Sequence, residues 1–599
     1  QAVERSVSPK LSRHSSAISL DSRLFARIEA IQARRDVLAA EEGCSAEDLR
    51  LLDRVYKGFV RGGARLVGAD RTRLAEIDAR LSELGTGFSQ NILADERGFV
   101  LALGEGDLVG LPGDLRSAMA EAARERGLAS DGAKPYALTL SRSIVVPFLT
   151  FSDRRDLRES AFRAWIARGE NDGPTDNRAV LAEILALRAE KAKLLGYASF
   201  AAYKLDDAMA KTPGAVRDLL EQVWVRARER AVADAIALSG LAVAEGGNGP
   251  LEPWDWRYFA EKRRKAEFDF DDAEVKPYFE LDRMIEAAFD VASRLFGLSF
   301  ERLAEREAWH PDVRVWRVRN ADGAEIATFL GDYFARQSKR SGAWMSALAR
   351  QHKLDGGQLP VIYNVMNFAK PAAGKPALLS IDDARTLFHE FGHALHGMLS
   401  NVTWPSLSGT SVARDFVELP SQLYEHWLTV PEVLDRHARH VVTGEPLPEA
   451  LLAKMKAARD VNAGFETVEY TASALVDLML HEASEAPADP LAREAEILAG
   501  LDMPREIVMR HRAPHFAHIF SGDGYSAGYY SYLWSEVLDA DAFEAFTETG
   551  DAFDKTTGEK LLRHVYSAGD SADPAELYTA FRGRMPTTEA LLRKRGFAA

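Results

Sequence analysis

A chain of 599 residues with 46% hydrophobic and 28% charged content is expected to bury a large core as one big domain or two lobes. Its net charge of -15 argues against nucleic acid or an anionic membrane as a partner, and no run of about 18 apolar residues offers a membrane span. The single cysteine, Cys44, excludes an intramolecular disulfide and any cysteine-built metal site, and it fits a reducing compartment. The cytoplasm is therefore expected, with the periplasm as the alternative, because a start at Gln1 rather than Met implies a trimmed chain.

Most of the chain reads as helix. Thr212-Pro213 is an N-cap followed by proline at the first helical position, leading into Val216, Leu219, Leu220 and Val223 at helical spacing. The run Glu245-Gly-Gly-Asn-Gly-Pro250 is a flexible connection, so residues 1–245 are expected to form an N-terminal helical lobe and 251–599 a catalytic lobe, together one unit. A small sheet is predicted next. Val313 to Arg319 is a strand, Asp322-Gly323 turns a hairpin, and Ile326 to Leu330 returns. The segment 331–344 carries Arg336, Lys339, Arg340 and a Ser341-Gly-Ala-Trp344 turn, basic residues that either hold a substrate carboxylate or are solvated surface charge. Val361 to Phe368 is a third strand, able to pair with an extended peptide or to serve as a core strand, and Pro371 to Pro376 forms a turn region.

Phe388-His389-Glu390-Phe391-Gly392-His393 lies in a helix with a start signal, because Ser380 and Asp383 have capping-box spacing. Ala384, Leu387, Phe388, Phe391, Leu395 and Met398 then recur three and four apart, which predicts a core-facing surface. Two histidines four apart share one helical face, so both imidazoles can reach a single zinc ion, while Glu390 is turned aside to handle a water. With 14 His in 599 residues and Glu roughly half of the 90 acidic residues, chance gives about 0.02 such matches. A lone helical histidine would be a core residue; this pair with Glu390 between them is not so explained. His396 and Leu399 stand where the metzincin pattern needs Gly and His, so that class is excluded and His396 is expected to pack the helix or support a ligand.

A catalytic zinc needs a third protein ligand and one position for water. Asp415, Glu418, Gln422 and Glu425 are spaced three, four and three apart, and they share a face if the segment is helical from just before Pro420. On spacing alone, one carboxylate binds the metal while others orient the histidines, or the whole set is a solvated acidic face. Near the C-terminus, His518-Ile-Phe-Ser-Gly-Asp-Gly-Tyr525-Ser-Ala-Gly-Tyr-Tyr530-Ser-Tyr532 combines a glycine-rich mobile loop with two tyrosines seven apart. From periodicity such tyrosines are ordinarily core; as phenols they are also suitable donors to an oxyanion.

These runs resemble the thimet oligopeptidase and neurolysin family of zinc peptidases, from about Leu24 to the C-terminus. Asn364-Val-Met-Asn367-Phe-Ala-Lys-Pro371, Ser408-Gly409-Thr410 and Arg414-Asp415-Phe416 look most like its bacterial peptidyl-dipeptidases, also called dipeptidyl carboxypeptidases. The resemblance implies a mainly α, two-lobed zincin-type fold with a small antiparallel sheet and a deep central channel. It also implies Glu418 as third ligand beside His389 and His393 of one Zn2+, with Glu390 as general base. Tyr525, Tyr532 and His518 become the expected oxyanion donors, and Arg414, Gly409 and Asn364 the expected substrate contacts. Family members usually carry several more helices upstream of this start, so the N-terminal wall is expected to lack them. The implied activity is release of C-terminal dipeptides from oligopeptides by a monomer. An endo-oligopeptidase with the same chemistry is the alternative, and a non-catalytic zinc peptide-binding protein the reading from another class. Cobalt or manganese could occupy the same ligands.

Overall fold

The computed structural model describes residues 2–597 apart from 41, 129–133, 248, 337–338, 340–341 and 372–373. Arg340, Ser341, Asn248 and part of the Pro371–Pro376 turn thus lie outside the described residues. Helices predominate, as expected, with two small sheets among the described residues. β1 (Leu101–Leu103) pairs with β2 (Tyr136–Leu138), and the second sheet has the order β3 (Ser299–Arg302), β4 (Arg314–Arg319), β5 (Glu325–Phe334), β7 (Val361–Phe368), β6 (Trp344–Ala349). Among the described residues no helix is long and apolar enough to cross a membrane.

Thr212 caps the long helix Pro213–Ala244 by accepting a bond from Ala215 N–H, with proline in the first turn. The hairpin also forms: β4 (Arg314–Arg319) runs antiparallel to β5 (Glu325–Phe334), and the Asn320 side chain closes the turn by accepting from the N–H groups of Asp322 and Ala324. β3 (Ser299–Arg302) borders β4. β7 (Val361–Phe368) is the expected third strand but is not free to take a peptide. Its backbone is paired in parallel with β5 and antiparallel with β6 (Trp344–Ala349), so the edge strands of this sheet are β3 and β6. The parallel β5–β7 pairing also departs from the wholly antiparallel sheet expected. Arg336 and Lys339 both bond Asp332, whose side chain is 1% exposed, so these cations anchor the strand end rather than face a substrate.

The chain connection at 245–250 is not a boundary between cores. Of the two largest hydrophobic clusters among the described residues, one joins Met209 and residues of 270–458 with Leu538 to Phe581; the other joins Ile77 to Ala260 with Phe465 to Val537 and Leu591. The helix Ala463–Glu482 packs along Pro213–Ala244, and the Trp256 ring stacks on Phe465 with centroids 5.1 Å apart. Glu469 of that helix pairs with Arg257 at 2.8 Å. The C-terminal quarter therefore crosses back onto the N-terminal core, and apolar burial between segments some 200 residues apart outweighs chain order in defining the cores.

Candidate active site

The helix Ile381–Met398 begins at the predicted capping box: the Ser380 hydroxyl accepts from Asp383 N–H at 3.0 Å and Asp383 accepts from Ser380 N–H at 3.1 Å. Its apolar face, Ala384, Leu387, Phe388, Phe391, Leu395 and Met398, is buried against the sheet and the helix Leu281–Phe296. That leaves His389 and His393 on the opposite side, half-buried, with ring centroids 5.0 Å apart.

The segment after it brings the carboxylates. Glu418 is the N-cap of a short helix, Leu419–Glu425, with Pro420 in its first turn, as the helical reading of this run requires. Gly392 permits this approach. A methyl at its α-carbon would lie 2.6 Å from the Pro420 carbonyl oxygen, 2.7 Å from Ser421 Cα and 2.9 Å from Tyr424 Cβ. Glu418 Oε2 consequently sits 3.3 Å from His389 Nε2 and 3.1 Å from His393 Nε2. Glu425 Oε1 lies 2.7 Å from His389 Nδ1, which leaves Nε2 of that ring for a metal. Asp415 is not part of this face. It accepts from the N–H groups of Met209 and Ala210 and from the Tyr530 hydroxyl, a structural anchor between the two cores.

One nitrogen from each histidine and one Glu418 oxygen all lie within 4.8 Å of one another, the only such group of possible metal donors among the described residues. Two imidazoles and a carboxylate suit zinc and its neighbours in the first transition row. The electrostatics agree. Burial opposes charge on Glu418, yet His393 and His389 outweigh it and hold the carboxyl well below its usual range. Burial also opposes protonation of His389, but Glu418 and Glu425 overcome it and raise its pKa well above the ordinary value. Negative charge on Glu418 is thus favoured by the two imidazoles beside it.

Glu390 is 6% exposed and its Oε2 has no hydrogen-bond partner among the described residues. Burial raises its pKa, while His389 and His393 restrain the rise. A buried carboxyl with a free oxygen beside the donor set can take a proton from a neighbouring water. His396 is a packing residue: it is fully buried, its ring meets Tyr566 edge-on at 6.4 Å, and burial pushes its pKa down to about 3.

The tyrosine turn closes the other side. The Tyr525 hydroxyl donates to Glu418 Oε1 at 3.1 Å, and the Tyr525 and Tyr532 rings stack 5.3 Å apart with planes 5° from parallel. Burial, aided by Glu418, pushes Tyr525 up to about 12, and Tyr532 rises as well, so both remain protonated donors. His518 lies next to them, its ring 6.2 Å from that of Tyr525; burial together with Arg510 and Arg142 lowers its pKa. The Arg414 guanidinium is exposed and lies over the Tyr525 ring at 4.7 Å.

Two expected substrate contacts sit elsewhere. Asn364, 1% exposed, is a buried residue of β7 that lines a small pocket with Phe289, Phe329, Leu387 and Phe391. Gly409, at φ +55°, is buried against the end of the histidine helix, 3.1 Å from Gly397 Cα at its Cβ position, and its N–H donates to the Ser400 hydroxyl. Its role is close packing.

The arrangement also contains a support that sequence reasoning missed. Asp477, 1% exposed, accepts from the N–H groups of Ala527, Gly528 and Tyr529 at 2.9, 2.9 and 3.0 Å, gripping the turn between the two stacked tyrosines. His481 Nδ1 is 3.0 Å from Asp477 Oδ1, and Arg188 donates to His481 Nε2 at 2.9 Å and to the Gly522 carbonyl at 2.9 Å. Because arginine only donates, His481 carries its hydrogen on Nδ1 and points it at Asp477. Only the four-residue spacing of Asp477 and His481 on a predicted helix could have hinted at this. Asp477→Asn is expected to lower kcat by about 10- to 100-fold through misplaced phenols, with metal content retained. A kcat within twofold of wild type would refute that role.

The chain also resembles known proteins along its length. The family model described as Peptidase family M3 matches residues 148–597. The chain is 38% identical to dipeptidyl carboxypeptidase of Escherichia coli (strain K12), across 100% of this chain and 87% of that protein. It is also 38% identical to oligopeptidase A of the same organism, across 91% of this chain and 81% of that one. Among solved structures, PZ peptidase A with an inhibitor aligns at TM-score 0.52 and 12% identity, over 98% of this chain and 84% of that one, which supports the fold alone. Taken with the His389-His393-Glu418 cluster, these matches establish that the chain belongs to peptidase family M3 and is a metallopeptidase.

Proposed function

We propose that the chain is a zinc-dependent peptidyl-dipeptidase, hydrolysing oligopeptides two residues from a free C-terminus. The observation that carries the hydrolytic reading is the buried Glu390, with an unpartnered oxygen, beside the donor set of His389, His393 and Glu418. These three residues would hold the ion, and a zinc ion bound there supplies polarisation of water and neutralisation of developing negative charge. Glu390 accepts the proton of the attacking water and returns it to the departing amine. Tyr525 and Tyr532, held protonated by burial, donate hydrogen bonds to the oxygen that becomes negative, with neutral His518 at the edge of the same cluster. Glu425 fixes the His389 ring, and Asp477 fixes the turn bearing the phenols.

Cleavage near the C-terminus is supported by similarity to dipeptidyl carboxypeptidases across the whole chain. The equal identity to oligopeptidase A keeps an endo-oligopeptidase as the second reading. A non-catalytic binding role has no use for Glu390. The acidic chain and its lone thiol fit a monomer acting in the cytoplasm. Mass spectrometry of products from one peptide, prepared with a free and with an amidated C-terminus, tests the reading. Successive dipeptides from the free acid and almost none from the amide are expected; internal fragments from both would favour the endopeptidase.

A further inference from the structure

A phenol serves an oxyanion only if the backbone that carries it stays in place, and the run before Tyr525 is poorly built to stay in place. Gly522, Asp523 and Gly524 are exposed and bring no apolar side chain to a core. Their anchorage is polar, and it comes from the N-terminal third of the chain.

Arg188, on the helix Arg178–Leu194, supplies the inner hold. Its guanidinium lies over the Phe200 and Phe520 rings, 5.3 and 5.4 Å from their centroids, and donates to the Gly522 carbonyl at 2.9 Å. Lys204 supplies the outer hold from the helix Phe200–Leu205. That helix is itself fixed: the Ser199 hydroxyl caps it by accepting from Ala202 N–H at 3.1 Å, and Phe200, Ala201, Tyr203 and Leu205 are buried. Lys204 Nζ donates to the Asp523 carbonyl at 2.6 Å and lies 3.5 Å from the Asp523 carboxylate. The same carboxylate accepts from the Ser526 hydroxyl, on the far side of Tyr525 in the chain.

Only Gly524 separates these bonds from Tyr525. A Cβ placed on it would meet nothing closer than Arg414 Nη2 at 4.0 Å, so packing does not fix the link. Beyond Tyr525 the backbone is gripped by Asp477, and it needs that grip, since Ala527 sits at φ +49° in the left-handed region that a side chain disfavours. Tyr525 is thus held from both directions. Asp477 and Arg188 are buried, whereas the Lys204 side chain is 22% exposed, which makes it the weakest of the three holds. Two residues of extended chain span about 7 Å, so a loop released at Asp523 gives Tyr525 ample room to leave its 3.1 Å bond to Glu418.

We propose that Lys204 is a positioning residue for the reaction: by fastening the Asp523 carbonyl it keeps the Tyr525 phenol beside the metal donors. This assignment rests on the reading of Tyr525 as an oxyanion donor. A misplacement of about 1 Å in such a group costs up to about 100-fold in rate, while an exposed lysine contributes little to stability, so the effect falls on turnover.

The test is steady-state kinetics, metal content and thermal unfolding of the zinc-loaded enzyme as wild type, Lys204→Met, Lys204→Arg, Tyr525→Phe and the double variant Lys204→Met/Tyr525→Phe. Methionine keeps much of the stem and removes the ammonium. Lys204→Met is expected to lower kcat by about 10-fold with KM, metal content and unfolding temperature near those of wild type, and Lys204→Arg to recover most of the loss. In the Tyr525→Phe background the same change is expected to cost less than about twofold more, because the phenol it positions is already gone. A general structural role would instead multiply the two losses. Multiplied losses, loss of metal, no recovery in Lys204→Arg, or a Lys204→Met kcat within about twofold of wild type each overturn this assignment and leave the reading of Tyr525 standing. Wild-type kcat in Tyr525→Phe overturns both.

Discussion

Glu390→Gln is expected to keep the metal and lose turnover by about 10²- to 10⁴-fold, the range typical of a positioned general base. The two side chains have nearly the same shape, and Glu390 makes no bond through Oε2 that an amide would break. Packing around the 6% exposed residue should survive. The amide cannot take a proton from water at neutral pH, so the reaction loses its base and the amine its proton donor. Metal content measured beside kcat separates the two functions of the motif. A variant retaining more than a tenth of wild-type kcat would remove Glu390 from the mechanism, and one that loses its metal would make it a structural partner of the ligands.

Gly392→Ala is expected to be nearly as damaging by a different route. Its new methyl meets the Pro420 oxygen, Ser421 Cα and Tyr424 Cβ, all closer than 3.0 Å and none the far end of a flexible side chain. The helices Ile381–Met398 and Leu419–Glu425 must move apart, carrying Glu418 and Glu425 away from the histidines. Overpacking of this kind costs about 1–3 kcal/mol of stability. Displacing the partners of ligand histidines costs about 10- to 100-fold in metal affinity. Thermal unfolding with and without added zinc, together with chelator competition, reads both effects. Wild-type metal affinity in this variant would show that the helix contact does not set the ligand geometry.

These two positions also mark how far the primary structure reaches. Glu390 is legible because its neighbours His389 and His393 are one helical turn apart, and helix geometry is local. Gly392, inside the same motif, is silent in sequence; its meaning depends on the Pro420 carbonyl lying across from it. Glu418 was one of several carboxylates until resemblance singled it out, and its distances to both histidines support that choice. Asn364 and Gly409 stand in runs that match the peptidyl-dipeptidases, but matching does not tell a packing residue from one that touches substrate. Both are buried in the lobe that holds the histidines.

The remainder was decided by contacts between distant segments. β6 interleaves with β7 to remove the strand edge that periodicity left available for a peptide. Asp477 reaches the tyrosine turn 50 residues on, and Arg188 reaches His481 across 293 residues. Helix caps, the hairpin and the paired histidines were determined by sequence because each depends on bonds within a few residues. The interleaved cores and the support of the phenols were decided only by the tertiary structure, because burial and hydrogen bonding act between neighbours in space wherever they stand in the chain.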